Sequence, residues 1–251
     1  MNHLDHLSCS QANTWSACHK KWKYRYIDGL IIPPSGAMAQ GTGVHKAQEV
    51  NFEQKIESKE DLPEDDVVDA FSDSWESQAD KIDFGGDKPG ELKDQGVELT
   101  KLYHAEIAPR IEPVAVEQKF KIEFEDTNWS VIGYIDVRGT GKTHDTKTTG
   151  KSPSQIQGYD FQSATYWIGE KYGLGVEPQP FEYNCLVKNK KPKSVNIEVP
   201  DQSQWEQYTL QKYADIAIEI HSALKTGVFA PNEGHFLCSP RWCGYHSKCF
   251  S

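Results

Sequence analysis

The feature that most constrains the fold is a change of hydrophobic period near residue 113. Before it, apolar residues recur at helical spacing in four segments: 7–30, 41–56, 64–82 and 91–111. After it, VAVEQKFKIEF (114–124) alternates apolar and polar residues, as a half-buried strand does. WSVIGYIDVR (129–138) predicts its hairpin partner after a short turn. The pattern therefore predicts helices followed by a β-sheet.

The rest of the chain continues this sheet. Further strands are predicted for HDTKTT (144–149), FEYNCLV (181–187) and SVNIEV (194–199). Helices are predicted over 152–173 and after Asp201 as far as Gly227. The order predicts one α/β domain over 1–251, with a mixed sheet and helices before, across and after it. Its parts are a mostly helical 1–112, a sheet core 113–200, and a C-terminal helix with a cysteine-bearing tail 201–251.

The net charge of −10 would by itself argue against a nucleic-acid partner. However, the acidic residues concentrate in 57–69, whereas 19–25 and 187–193 are basic, so the net charge decides nothing. No apolar run reaches the length of a membrane-spanning helix, so no membrane partner is expected. The opening MNHLDHLSCSQ lacks the pattern of a secretory signal. We expect a protein of the cytoplasm, or of the host cytoplasm if it is viral.

The segment HDTKTTG (144–150) allows three interpretations. A phosphate-binding loop ending in GTGKT is excluded, because Asp136 stands where its first glycine is needed and no helix follows directly. Asp145 and Lys147 lie on the same side of a strand, which is also common for solvated surface charges. Alternatively, a hairpin that brings Asp136 beside them supplies oxygen ligands for Mg²⁺ or Mn²⁺ and an ammonium group for phosphodiester hydrolysis.

Four motifs in order favour the metal interpretation: GTGVH (41–45), GYID (133–136), DTK (145–147) and QSATY (162–166). Together they resemble the PD-(D/E)XK nuclease superfamily. More narrowly they resemble the RecB-type exonucleases, which include CRISPR-associated RecB-like nucleases and many phage exonucleases. The sequence departs from that pattern at His144, where an apolar residue usually precedes the aspartate. The resemblance implies a restriction-endonuclease-like mixed sheet flanked by helices.

The resemblance also implies the chemistry of the site. His45, Asp136 and Asp145 would hold Mg²⁺ or Mn²⁺, with the backbone carbonyl of Thr146 beside them, and Lys147 would be the catalytic lysine. The implied activity is that of a DNA exonuclease that hydrolyses phosphodiester bonds by metal-activated water.

Three further residues are candidates by the same resemblance. Gln162 and Tyr166, one helical turn apart, would face the site and position Lys147 or a DNA phosphate. Tyr166 could equally be a core residue. Glu117, on the preceding strand, is the candidate auxiliary carboxylate, with a structural role as its alternative. For His45, the alternative is a structural hydrogen bond.

The chain has six cysteines, and the absence of an export signal makes disulfides the less favoured interpretation. The cysteines are therefore candidates for metal ligation. One near the N-terminus and three in the tail resemble the iron–sulfur staple of RecB-like nucleases. The implied ligands of a [4Fe–4S] cluster are Cys18, Cys238, Cys243 and Cys249. Zn²⁺, shared with His235 and His246, and unligated thiols are the alternatives.

The expected partner is DNA with a free end and single-stranded character. Trp22, Tyr24 and Tyr26 are either stacking partners for unpaired bases or core residues. Three other functions fit parts of the sequence: a structure-specific endonuclease with the same site, a non-catalytic nucleic-acid-binding iron–sulfur or zinc module, and a zinc-stabilised interaction protein.

Overall fold

The computed structural model describes residues 5–124 and 128–250. Its α-helices are α1 (Cys9–Ala17), α2 (His19–Tyr26), α3 (Gly36–Ser58), α4 (Glu64–Gln78), α5 (Pro89–Glu106), α6 (Phe161–Ile168), α7 (Glu206–Thr226) and α8 (His246–Cys249). Its strands are β1 (His6–Leu7), β2 (Pro113–Glu123), β3 (Ser130–Gly139), β4 (Thr143–Thr149), β5 (Phe181–Val187) and β6 (Lys193–Val199). The turn predicted between β2 and β3 includes 125–127, which lie outside the described residues.

The six described strands form one mixed sheet. β2 and β3 are the predicted antiparallel hairpin, β4 and β5 are parallel, and β5 and β6 are antiparallel. Apolar side chains of α1, α2, α6 and α7 form one core with the sheet, and those of α3, α4 and α5 form a second. This arrangement confirms the predicted α/β fold. No helix in the described ranges has the length and apolar character needed to cross a membrane.

The first predicted helix is interrupted in the structure. Ser8 caps α1, its Oγ accepting a hydrogen bond from the Gln11 amide at 3.2 Å. At Cys18 the backbone is extended, and its Sγ accepts from the Lys21 amide at 3.4 Å, so α2 begins as a separate helix. The Trp22 and Tyr24 side chains are buried, which supports the core interpretation of these two aromatic residues.

Helix α3 extends beyond the predicted range of 41–56. It begins at Gly36, after Ser35, whose Oγ accepts from the Met38 amide at 3.3 Å. The predicted start at Gly41 is therefore wrong, since Gly41 and Gly43 both lie inside the helix. A Cβ atom at Gly43 would lie 2.8 Å from the Phe71 ring, so glycine is needed there for the close approach of α4.

The helix predicted over 152–173 is shorter than expected. Residues 152–160 are not helical, and α6 begins after Asp160, whose Oδ1 accepts from the Ser163 amide at 2.9 Å. A π-helical segment then extends from Gly169 to Leu174. In α7, Gly227 ends the helix as predicted, whereas Asp201 binds the Ser203 amide of a preceding short turn instead of capping α7.

Candidate active site

The site lies where β3 and β4 separate. The two strands pair at only two positions, the last being Val137 opposite His144. Asp136 and Asp145 come next in this register and face each other just beyond the last pair. β4 continues beside β5 over its whole length. The separation of the two strands thus leaves space between β3 and β4 for the two carboxylates.

Asp136 contacts helix α3 through His45. The His45 Nδ1 lies 3.2 Å from the Asp136 Oδ2. Burial opposes the charged form of Asp136, but the hydrogen bond and charge of His45 outweigh it and lower the pKa of the carboxyl. For His45, burial lowers the pKa of the imidazole, and the Asp136 hydrogen bond reverses this to a net rise.

Asp145 is fully buried and lies against Lys147, whose Nζ is 2.5 Å from its Oδ2. Burial and the nearby charge of Asp136 raise the pKa of Asp145 to about 7, although Lys147 opposes the shift. Burial alone would lower the pKa of Lys147, but the charge and hydrogen bond of Asp145 produce a net rise. Lys147 is therefore an ammonium group at neutral pH and can stabilise negative charge.

Helix α6 contributes Gln162 and Tyr166 to the same site. The Gln162 Nε2 donates to the Asp145 Oδ2 at 2.6 Å and to the Tyr166 hydroxyl at 3.1 Å. The Tyr166 hydroxyl donates to the Asp136 Oδ1 at 3.1 Å. Both side chains reach the carboxylates, and the hydrogen bonds of Gln162 do not include Lys147 among the described residues.

The donor set fits a hard divalent cation. His45, Asp136 and Asp145 each offer one ligand atom, and the three atoms lie within 4.8 Å of one another. The Asp145 Oδ1 is buried and has no hydrogen-bond partner in the described part of the chain. A buried carboxylate oxygen without a partner is costly unless a ligand completes it. Carboxylates with an imidazole suit Mg²⁺ or Mn²⁺.

Comparisons with known proteins agree with this geometry. The family model of the PD-(D/E)XK nuclease superfamily matches residues 6–250. The chain belongs to the PD-(D/E)XK nuclease superfamily. No curated protein matches it.

Two solved structures resemble this PD-(D/E)XK nuclease. One is the "Putative exonuclease" from Eubacterium rectale, with a TM-score of 0.61 and 15% identity over 91% of this chain and 85% of that chain. The other is SSO0001, with a TM-score of 0.42 and 10% identity over 99% of this chain and 87% of that chain. The first likeness supports the fold, and the second is too weak to support any argument.

Two residues that contact the site were not among the candidates predicted from the sequence. The Gln48 Oε1 accepts a hydrogen bond from the Thr146 hydroxyl, which ties α3 to β4 beside Asp145. Its spacing of three from His45, on one helix face, was the available signal. The Tyr183 ring lies 5.7 Å from the Lys147 Nζ, a contact set by the parallel pairing of β4 and β5. The strand–helix–strand order of β4, α6 and β5 was the available signal for that parallel pairing.

Glu117 lies beside the site without a hydrogen bond to the carboxylates among the described residues. It stands opposite Asp136 in the β2–β3 register, between Val116 and Gln118, which pair with β3. Its φ of 46° is in the left-handed region, which is unusual for a residue other than glycine. Partial loss of solvent and the charges of Asp136 and Glu49 raise its pKa to about 7.

Three of the predicted cluster cysteines lie near enough to the fourth, Cys238, to influence its thiol. Loss of solvent, and then the charges of Cys243, Cys18 and Cys249, raise the pKa of the Cys238 thiol. Among the described residues, no three of these sulfurs lie within 4.8 Å of one another. Two sulfurs bound to one zinc at about 2.3 Å are at most about 4.6 Å apart, so no three of these thiols are arranged as ligands of one zinc.

Proposed function

We propose that the protein is a divalent-metal-dependent DNA exonuclease of the RecB type that acts in the cytoplasm. The observation that carries the proposal is the meeting of Asp136, Asp145 and Lys147 at the gap between β3 and β4, with His45 opposite. Superfamily membership supports a nuclease. The motif order and the likeness to the E. rectale protein support the exonuclease assignment.

In this proposal His45, Asp136 and Asp145, with the backbone carbonyl of Thr146, hold Mg²⁺ or Mn²⁺. Such a cation would supply a Lewis acid that acidifies water and offsets phosphate charge. Lys147, held by Asp145, stabilises the negative charge that develops on the phosphate during hydrolysis.

The remaining site residues act as positioning groups. Gln162 fixes Asp145 and Tyr166, and Tyr166 fixes Asp136. Hydrogen bonds of this kind orient carboxylate ligands and typically affect metal affinity or activity by about 10- to 100-fold. Glu117 is proposed as an auxiliary carboxylate on the α3 side of the site. Its strained backbone beside Asp136 supports this role.

We further propose a [4Fe–4S] cluster on Cys18, Cys238, Cys243 and Cys249, which would join the start of α2 to the C-terminal tail. The resemblance of the cysteine pattern to the iron–sulfur staple of RecB-like nucleases carries this assignment, and the electrostatic contact of Cys238 with the other three thiols supports it. Iron, acid-labile sulfide and zinc contents of anaerobically purified protein test the assignment. About four irons per chain, lost in Cys238→Ser, are expected. Stoichiometric zinc without iron would contradict it.

The activity test compares end-labelled linear DNA, single- and double-stranded, with circular DNA in the presence of Mg²⁺ or Mn²⁺. The wild-type protein should degrade linear DNA from an end and leave circles intact. Lys147→Ala should be inactive, whereas Lys151→Ala, an exposed lysine just beyond β4, should retain activity.

Other outcomes of this test have defined meanings. Cutting of circles would replace the exonuclease proposal with an endonuclease that uses the same site. Failure to cut any DNA with either metal, in protein whose cysteine site is filled, would favour a non-catalytic nucleic-acid-binding module.

A further inference from the structure

A groove adjoins the active site along an uncovered edge of β3. This edge is paired with β1 at Ser130 and Val131 and with β4 at Val137 and Arg138. Between these positions, residues 132–135 pair only with β2 among the described strands. The open edge forms part of a groove of about 660 Å³. A cleft of this size is in the range that holds small organic ligands.

The groove leads directly to the catalytic groups. Its wall includes Gln162 and Tyr166, the two side chains that donate to Asp145 and Asp136. A molecule lying in the groove therefore ends beside the carboxylates. The groove is continuous with the site and separate from the helical surface around α4.

The chemistry of the groove suits an anionic, aromatic ligand. Tyr134 is 50% exposed in the groove, and Lys119 stands directly opposite it on β2. Among the residues that the structure describes, no aspartate or glutamate lines the groove, although the chain has a net charge of −10. Helix α1 begins in the groove wall at Cys9 without an acidic residue in its first turn, and a helix N-terminus favours anions.

Gln11 adds an observation that is independent of charge. Its side chain lines the groove and is only 6% exposed, and its Oε1 has no hydrogen-bond partner within the described residues. A buried amide oxygen of this kind requires a donor. The ring N–H and amino groups of an unpaired nucleobase are suitable donors.

We propose that this groove binds unpaired nucleotides of the DNA strand next to the scissile phosphate. In it, Tyr134 stacks on a base and Lys119 contacts a phosphate; this inference rests on the proposed nuclease function. Stacking on a tyrosine requires a free base face, which a base within a paired duplex does not offer. The groove therefore selects single-stranded DNA or a frayed end.

The binding test uses fluorescein-labelled oligo(dT), with Ca²⁺ replacing Mg²⁺ to prevent cleavage, and compares Tyr134→Ala with Tyr134→Phe. The Ala variant should bind about 5- to 150-fold more weakly, since one stacked base contributes about 1–3 kcal/mol. The Phe variant should bind like wild type. Tyr208→Ala, which removes a comparably exposed tyrosine from α7, should have no effect. Lys119→Gln should reduce the salt dependence of binding by about one phosphate contact.

A second readout separates this proposal from the nuclease function itself. An oligonucleotide of abasic tetrahydrofuran units carries phosphodiesters but no base to stack on Tyr134, so Tyr134→Ala should cleave it at the wild-type rate. If the wild-type protein cleaves DNA but Tyr134→Ala binds oligo(dT) normally, the groove proposal is wrong and the nuclease function stands. If the wild type cleaves neither substrate while Tyr134→Ala loses oligo(dT) binding, the nuclease proposal is wrong and the groove stands.

Discussion

Glu182 offers a quantitative test of how the sheet supports the active site. It is buried on β5, where Asn196 donates to it at 2.8 Å and the Lys142 Nζ lies at 3.1 Å. The His144 Nδ1, on the residue next to Asp145, is 3.6 Å away. The contact with His144, then the hydrogen bonds of Asn196 and Lys142, outweigh burial and lower the pKa of Glu182 from 4.5 to about 2.

The sign of the effect on stability follows from this direction. A carboxyl whose pKa is depressed by folding contributes stability above its unfolded pKa of 4.5, and the contribution is lost as the pH falls towards about 2. Because one pKa unit corresponds to about 1.4 kcal/mol, Glu182 contributes about 3 kcal/mol to the free energy of unfolding at neutral pH.

Urea denaturation of wild type and Glu182→Gln, at pH 7 and at steps from pH 5 to pH 3, measures this contribution. We expect the free energy of unfolding of the variant to be about 3 kcal/mol lower than that of wild type at pH 7. This difference should shrink steadily below about pH 4.5. Glu198→Gln is the control, because Glu198 binds the same Lys142 at 3.0 Å but is 80% exposed. The Glu198→Gln substitution should lower the free energy of unfolding by less than about 1 kcal/mol. If the stability difference between wild type and Glu182→Gln does not change with pH, the charge of Glu182 is not the source of its stabilisation.

Three further changes test the site and its scaffold. His45→Ala should weaken Mn²⁺ binding by about 10- to 100-fold, measured by calorimetry, because a ligand is removed from the carboxylates; unchanged affinity would exclude His45 as a ligand. Gln162→Ala should lower kcat on DNA by about 10-fold or more with little change in KM, because Asp145 loses its orienting donor; an equal loss in KM would indicate substrate binding instead. Gly96→Ala should lower the free energy of unfolding by about 1–3 kcal/mol, since the added Cβ would lie 2.1 Å from the Phe71 ring. Gly90→Ala is the control on the same helix, and it should leave stability unchanged because its Cβ meets open space.

The core of the site could be predicted from sequence because local geometry determines it. Asp145 and Lys147 share one side of a strand, and a hairpin places Asp136 opposite Asp145. His45 was different, since nothing local in α3 indicates that it reaches β3, and the resemblance to a family was needed. Its contact with Asp136 depends on how α3 packs on the sheet.

The late start of α6 did have a local signal, because Gly158 and the capping residue Asp160 precede it. Other features depend on tertiary structure and left no local signal. The left-handed backbone of Glu117 is invisible in an alternating strand pattern. The groove exists because β1 and β4 pair with different ends of β3, which no pattern within β3 indicates.

Asp145 illustrates a conflict between stability and function that can be measured. In the metal-free protein, its carboxylate is buried beside Asp136 and keeps an oxygen without a hydrogen-bond partner in the described part of the chain. Asp145→Asn removes the repulsion between the two carboxylates while keeping the shape of the side chain. We therefore expect the variant to have a higher Tm than wild type in EDTA.

Adding Mn²⁺ should reverse this order, because a cation that binds only the folded wild type stabilises it by about 2.7 kcal/mol at 100 times its Kd. Asp145→Asn should gain much less from Mn²⁺ and should not cleave DNA. A variant that melts below wild type in EDTA would mean that the Lys147 ion pair outweighs the repulsion from Asp136. In that case the carboxylates would be stably held without metal, and the unpartnered oxygen would no longer be evidence for a cation.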